Sequence, residues 1–126
     1  MSLKPFTHLH THSHYSLLSA VPKIDELVEA AKKDGMSALA LTDNGNMYGA
    51  IEFYKECQDA GIKPIIGIDL YVASRTRRDK EGRLDNKRSR LVVLAKSYEG
   101  YKTLIELITD ANLVGYYYKP RVDRES

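Results

Sequence analysis

The stretch Ala38-Leu39-Ala40-Leu41-Thr42-Asp43-Asn44-Gly45-Asn46 joins a short, nearly continuous apolar run to four turn-forming residues. Apolar residues at successive rather than alternate positions suit a strand covered on both faces, and the turn formers end it. Before it, Ile24, Leu27, Val28 and Ala31 recur at helical spacing. Pro22 stands near the start of that helix, Asp25 and Glu26 lie in its first turn, Lys32 and Lys33 in its last, and Gly35 follows. After the stretch, a second helix is predicted from about Met47 to Gly61, burying Met47, Ala50, Ile51, Tyr54 and Cys57. Pro64 then opens a strand over Ile65 to Ala73, with Ile66, Ile68, Leu70 and Val72 on one face. Strands alternating with helices of this length predict parallel β-α units, whose functional loops gather at the carboxyl ends of the strands.

The 126 residues suffice for one domain with a real core, and 43% hydrophobic with 29% charged residues excludes a disordered chain. No apolar run is long enough to span a bilayer and no signal-peptide pattern opens the chain. The single cysteine, Cys57, excludes an internal disulfide and fits a reducing cytosol, so a cytoplasmic protein without membrane contact is expected. Beyond Ala73 a fourth strand is predicted at Leu91 to Ala95. Ser97 then caps a third helix that buries Tyr101, Leu104, Ile105, Ile108 and Ala111. Three segments result: 6–73, a basic loop at 74–90, and a β-α unit with a tail at 91–126.

All four histidines fall in Phe6-Thr7-His8-Leu9-His10-Thr11-His12-Ser13-His14, one at every second position. A first strand, about Phe6 to His10, runs into this tract and would place them on one face. Imidazole is a common metal ligand, and four in alternation at a strand end favour a metal site over a fortuitous tract. Asp69 interrupts an apolar strand. A buried carboxylate needs a partner, because leaving it unpaired costs several kcal/mol or shifts its pKa. The rim of a parallel sheet would bring His10 to His14, Asp43 to Asn46 and Asp69 together.

From Arg75 to Arg90 stand eight basic and three acidic residues, a local charge of +5 against −3 for the remainder. Arg75, Arg77, Arg78, Arg83, Lys87 and Arg88 are candidate phosphate or nucleic-acid contacts. A solvated loop carries the same pattern, and no aromatic residue there supports base stacking.

Three blocks together resemble a known family: His8-Leu9-His10-Thr11-His12-Ser13, Ala38 to Asn46, and Gly61 to Val72. They are similar to the opening motifs of the polymerase-and-histidinol-phosphatase (PHP) domain, and more narrowly to the PHP domains of bacterial DNA polymerase III alpha subunits. Gly49-Ala50-Ile51-Glu52-Phe53-Tyr54 and Gly115-Tyr116-Tyr117-Tyr118-Lys119-Pro120-Arg121 add to the resemblance, which runs from about Phe6 to the last residue. It implies an α/β fold: the first part of a distorted, TIM-like (β/α)7 barrel, here about four strands and three helices, with divalent metals (Zn, Mn or Mg) at its carboxyl rim. His10 and His12 match metal-binding histidines, and Asp69 stands where a metal-bridging glutamate is usual. Asp43 matches the aspartate of the second motif and is the candidate catalytic residue. His8 and Asn44 are outer candidates for metal; His14 lies at a variable position. Two departures point to an eroded site. Asn44 replaces a histidine, and Leu17-Leu18-Ser19-Ala20 stands where polymerase members read Leu-Leu-Asp-Gly.

The resemblance implies a part of a replicative polymerase with a mainly structural role. Its expected partners are the rest of the alpha chain, a proofreading exonuclease subunit, other replisome subunits and, through the parent protein, DNA. Two alternatives stay open: a metal-dependent phosphoesterase acting on a 3′ end or on pyrophosphate, and a stand-alone metal-binding module. Further barrel motifs are expected after Ser126. A chain ending there would leave strand edges open and self-associate.

Overall fold

The computed structural model describes residues 6–126 as an α/β fold with this order of elements: α1 (Ile24–Lys33), β1 (Ala38–Leu41), α2 (Ala50–Ala60), β2 (Lys63–Ala73), α3 (Gly82–Asp85), β3 (Arg88–Leu94), α4 (Tyr98–Leu113) and β4 (Arg121–Val122). β2 is the spine of a four-stranded sheet. One edge pairs antiparallel with β3, Gly67 facing Leu94 and Ala73 facing Arg88. The other edge is covered in succession. β1 runs parallel along Lys63 to Ile66, Asn44 bridges to Asp69, and β4 runs parallel at Tyr71 and Val72.

Two expectations about strands are corrected. Among the described residues only β1 and β2 form a parallel β-α-β unit, with α2 as the crossover; β2 and β3 are antiparallel. The connection at 74–87 holds only the short α3, so the chain returns along the same edge instead of crossing over. Phe6 to His10 is not a regular strand. This segment does run beside β1, since Ala40 donates to the carbonyl of His8 (3.0 Å) and Thr42 to that of Thr11 (2.8 Å). The two acceptors are three residues apart and the two donors two apart, so one extra residue is accommodated as in a bulge. That residue breaks the two-residue alternation within the histidine tract. The fourth strand of the sheet is β4, from the tail.

Helix α1 forms as expected and buries Ile24, Val28 and Ala31. They pack with Leu39, Leu41, Phe53, Cys57 and Ile62 in one core. A second core joins Ile68 and Leu70 of β2 to Leu104 and Ala111 of α4 and to Val122. α2 starts at Ala50 rather than Met47, and its buried stripe is Ala50, Phe53 and Cys57. Ile51 and Tyr54 are therefore exposed, as is Ile105 on α4, against the sequence expectation. Gly67 lets the strands approach: a Cβ there would stand 2.6 Å from the carbonyl oxygen of Val93. Among the described residues, no helix is long and apolar enough to cross a membrane.

Candidate metal centre

β2 presents its residues alternately, so with Ile68 and Leu70 in the core Asp69 points to the opposite face. There it meets the loop that follows β1. The Asp69 amide donates to the carbonyl of Asp43, and the Gly45 amide to the carbonyl of Asp69, both at 2.9 Å. Gly45 has φ +63°, and a Cβ there would lie 2.8 Å from the ring of Tyr71. A side chain at that turn would thus be strained and crowded.

Asp69 is 2% exposed and collects four side-chain bonds. Its Oδ2 meets His10 Nε2 at 2.8 Å and His12 Nε2 at 3.1 Å. Arg90 on β3 adds a fork, Nε to Oδ1 at 3.0 Å and an Nη2 to Oδ2 at 2.8 Å. Burial alone would raise the Asp69 carboxyl. The Arg90 fork and the two imidazoles outweigh it and bring the group down to about 2. The same Nη2 of Arg90 donates to the side-chain oxygen of Asn44.

A ring nitrogen of His10, a ring nitrogen of His12 and an Asp69 oxygen fall within 4.8 Å of one another. Two imidazole nitrogens and one carboxylate oxygen are a donor set suited to one transition-metal ion, with positions left open. The residues thus fit a single ion. Each imidazole can either donate Nε2–H to Asp69 or offer the Nε2 lone pair to a cation. Asn44 adds only an amide oxygen, already turned to Arg90 and a weak ligand for such metals.

The other candidates lie apart from this group. The His8 ring is exposed and packs edge-on against Phe6, with centroids 4.8 Å apart. His14 stacks on Tyr15 at 4.3 Å. Asp43 is buried and is not one of the three clustered donors. Its oxygens accept from the Ser13 amide (2.6 Å), the Ser13 hydroxyl (2.7 Å) and the Ser16 hydroxyl (2.7 Å). The carboxylate thereby fixes the loop that carries His10 and His12.

The basic segment divides in two. Arg77 is buried and ion-paired to Asp110 (2.7 Å) and Asp123 (2.8 Å), and Arg75 forks onto Asp85. Arg78, Arg83 and Lys87 face solvent. Arg88 and Arg90 lie over the ring of Tyr71, 5.7 and 4.9 Å from its centroid, and Lys119 stands 5.9 Å from it. A basic, aromatic rim therefore borders the histidines.

Arg90, Ser13 and Ser16 are the functional neighbours missing from the candidates named from sequence. The signal for Arg90 was the need of Asp69 for a cation, together with Arg88, Arg90 and Val92 at alternate positions. Val92 is the register partner of Asp69, so Arg90 is its diagonal neighbour across the strands.

Comparison with known proteins matches residues 8–126 to the PHP domain family model. The DNA polymerase III alpha subunit of Borreliella burgdorferi is 49% identical over 121 residues, covering 95% of this chain and 10% of the relative. That of Treponema pallidum is 49% identical over 126 residues, covering 99% and 11%. The chain thus spans about a tenth of the length of the curated relatives it matches. Two solved structures share the fold at low identity. An amidohydrolase from Chromobacterium violaceum gives a TM-score of 0.53 at 21% identity, covering 82% of this chain and 34% of that one. A protein named as a metal-dependent phosphoesterase from Bifidobacterium adolescentis gives 0.51 at 14%, covering 84% and 33%.

Proposed function

Given that the chain belongs to the PHP domain family, we propose that it serves as the PHP domain of a DNA polymerase III alpha subunit, in the cytoplasm and in DNA replication. Its role there is mainly structural, around a metal site of reduced capacity. The observation that carries this reading is the 49% identity to two such subunits across nearly the whole chain. Its partners are then the rest of the alpha chain, a proofreading exonuclease subunit and other replisome subunits. DNA is reached through the parent protein, with Arg78, Arg83, Lys87 and Arg88 available for phosphates.

His10, His12 and Asp69 are the residues that would hold an ion, with Zn, Mn or Mg as the candidates. A divalent ion in such a place neutralises phosphate oxygens and acidifies a water molecule near neutral pH. The chain's own part is positional. Asp43 locks Ser13 and Ser16, which set the loop bearing the imidazoles, and Asp69 orients both rings. Arg88 and Lys119, around Tyr71, would attract an anionic substrate to the rim.

A phosphoesterase acting on a 3′ end is the second reading, favoured by that basic rim beside the three donors. Release of nucleotide from a 3′-labelled primer separates the two. The structural reading expects the same background release from the protein and from its His10→Ala/His12→Ala variant. Release that disappears with the two histidines would establish the phosphoesterase instead.

A further inference from the structure

We propose that Arg90 is a built-in cation of this centre, taking the side of Asp69 that a second metal ion would need and limiting the site to one ion at most. The inference deepens the reading of His10, His12 and Asp69 as metal donors and rests on it.

A carboxylate bridging two ions gives one oxygen to each. Here the oxygens of Asp69 are already divided. Oδ2 faces the imidazoles of His10 and His12, whereas Oδ1 receives Arg90 Nε at 3.0 Å. The fork closes on Oδ2 through Nη2 at 2.8 Å, and the same nitrogen reaches the side-chain oxygen of Asn44. Asp69 is almost wholly buried, so no further edge of the carboxylate is open to a cation from solvent.

Arg90 is exposed on one side but held in place by its contacts. The ladder of β2 and β3 fixes its register, with Arg90 opposite Tyr71 and Val92 opposite Asp69. Its guanidinium lies over the Tyr71 ring, 4.9 Å from the centroid. Asn44 closes the third side, its backbone amide anchored to the Ser16 hydroxyl at 2.9 Å. A guanidinium keeps its charge at every accessible pH and matches a carboxylate with two donors in one plane. It supplies a fixed positive charge to Asp69 and repels a divalent ion from the same oxygens. Asn44 fits this arrangement, since its amide oxygen accepts from a guanidinium and binds transition metals weakly.

The test is titration of Zn²⁺ into the purified protein and its variants by calorimetry, with thermal melting as a second readout. Arg90→Ala should tighten Zn²⁺ binding by about tenfold or more, because a unit charge a few ångströms from the ion is removed. Its melting temperature should fall without metal and recover with it. Arg90→Lys, which keeps the charge but loses the fork, should lie between wild type and Arg90→Ala. Lys96→Ala removes an exposed charge that does not touch Asp69, and should change the affinity by less than about threefold. In the unmodified protein, the NMR signal of Arg90 Nε–H should move as Zn²⁺ is added, which needs no variant to fold. Equal affinity in wild type, Arg90→Ala and Arg90→Lys would overturn the role of Arg90 and leave the three-donor site standing. An equal gain in Lys96→Ala would overturn it too, by showing a general field effect. If no form bound Zn²⁺, the three-donor reading itself would fail.

Discussion

Asp43 and Asp69 are joined backbone to backbone, the Asp69 amide on the Asp43 carbonyl at 2.9 Å, yet their buried side chains have opposite surroundings. Asp69 is bound by two imidazoles and a guanidinium; Asp43 is bound by two serine hydroxyls and an amide. One carboxylate is set among groups that carry or can accept positive charge. The other is a structural pin. On the proposed reading, Asp69 serves the metal site and Asp43 the shape of its loop.

Asp43→Asn should therefore lower stability, by about 3 kcal/mol, because it leaves donors facing an amide nitrogen inside the protein. Ser13→Ala and Ser16→Ala should each cost less. Urea denaturation measures both. A variant with unchanged stability but altered metal or phosphate binding would place Asp43 in the chemistry instead.

Acid should loosen the far end of the sheet. The Arg75 fork holds the Asp85 carboxyl below the usual carboxylate range. For Asp123, burial acts upward, but bonds from the Arg77 and Glu125 amides, the Ser126 hydroxyl and the Arg77 guanidinium leave it lowered. A carboxyl whose folded pKa is depressed binds protons more readily when unfolded. Its contribution is complete above the unfolded value, about 4, and is lost as pH falls toward the folded one. Melting temperature should thus drop steeply below about pH 4. Asp85→Asn should be less stable at neutral pH and show a shallower dependence; an unchanged slope would argue against the Arg75–Asp85 pair as a source.

Arg121 has no exposed surface and donates to the carbonyls of Gly115, Arg77 and Asp79 at 2.8 to 2.9 Å. It ties the basic loop to the tail. Arg121→Met should destabilise by about 3 kcal/mol or more, through unsatisfied carbonyls. It should also expose residues 74–87 to protease. Proteolysis at the wild-type rate would contradict this.

The phase of α2 gives a sharper contrast. Phe53→Ala should cost about 3–5 kcal/mol by opening a core cavity. Ile51→Ala, on the exposed face, should stay within about 1 kcal/mol. Denaturant midpoints compare the two directly.

Much of this was legible from local pattern. Ile24, Val28 and Ala31 at helical spacing gave α1, and the apolar run at Ala38 to Leu41 gave β1. The buried acid in β2 announced a partner. What local pattern could not hold was pairing. The alternation of His8 to His14 looked like a strand, but the hydrogen bonds at His8 and Thr11 accommodate an extra residue against β1. Arg90 looked like one more charge in a basic run; its place beside Asp69 comes from the antiparallel register of β3. The stripe on α2 is rotated from the expected one because Phe53, rather than Ile51 or Tyr54, turns into the core with Ala50 and Cys57.

The most direct test of a one-ion centre at His10, His12 and Asp69 is the metal content of the purified protein after loading with Zn²⁺ or Mn²⁺ and desalting, beside a His10→Ala/His12→Ala variant. A one-ion centre gives about one ion per chain in the protein and essentially none in the variant. Equal metal in both, or two or more ions per chain lost with the histidines, would contradict it.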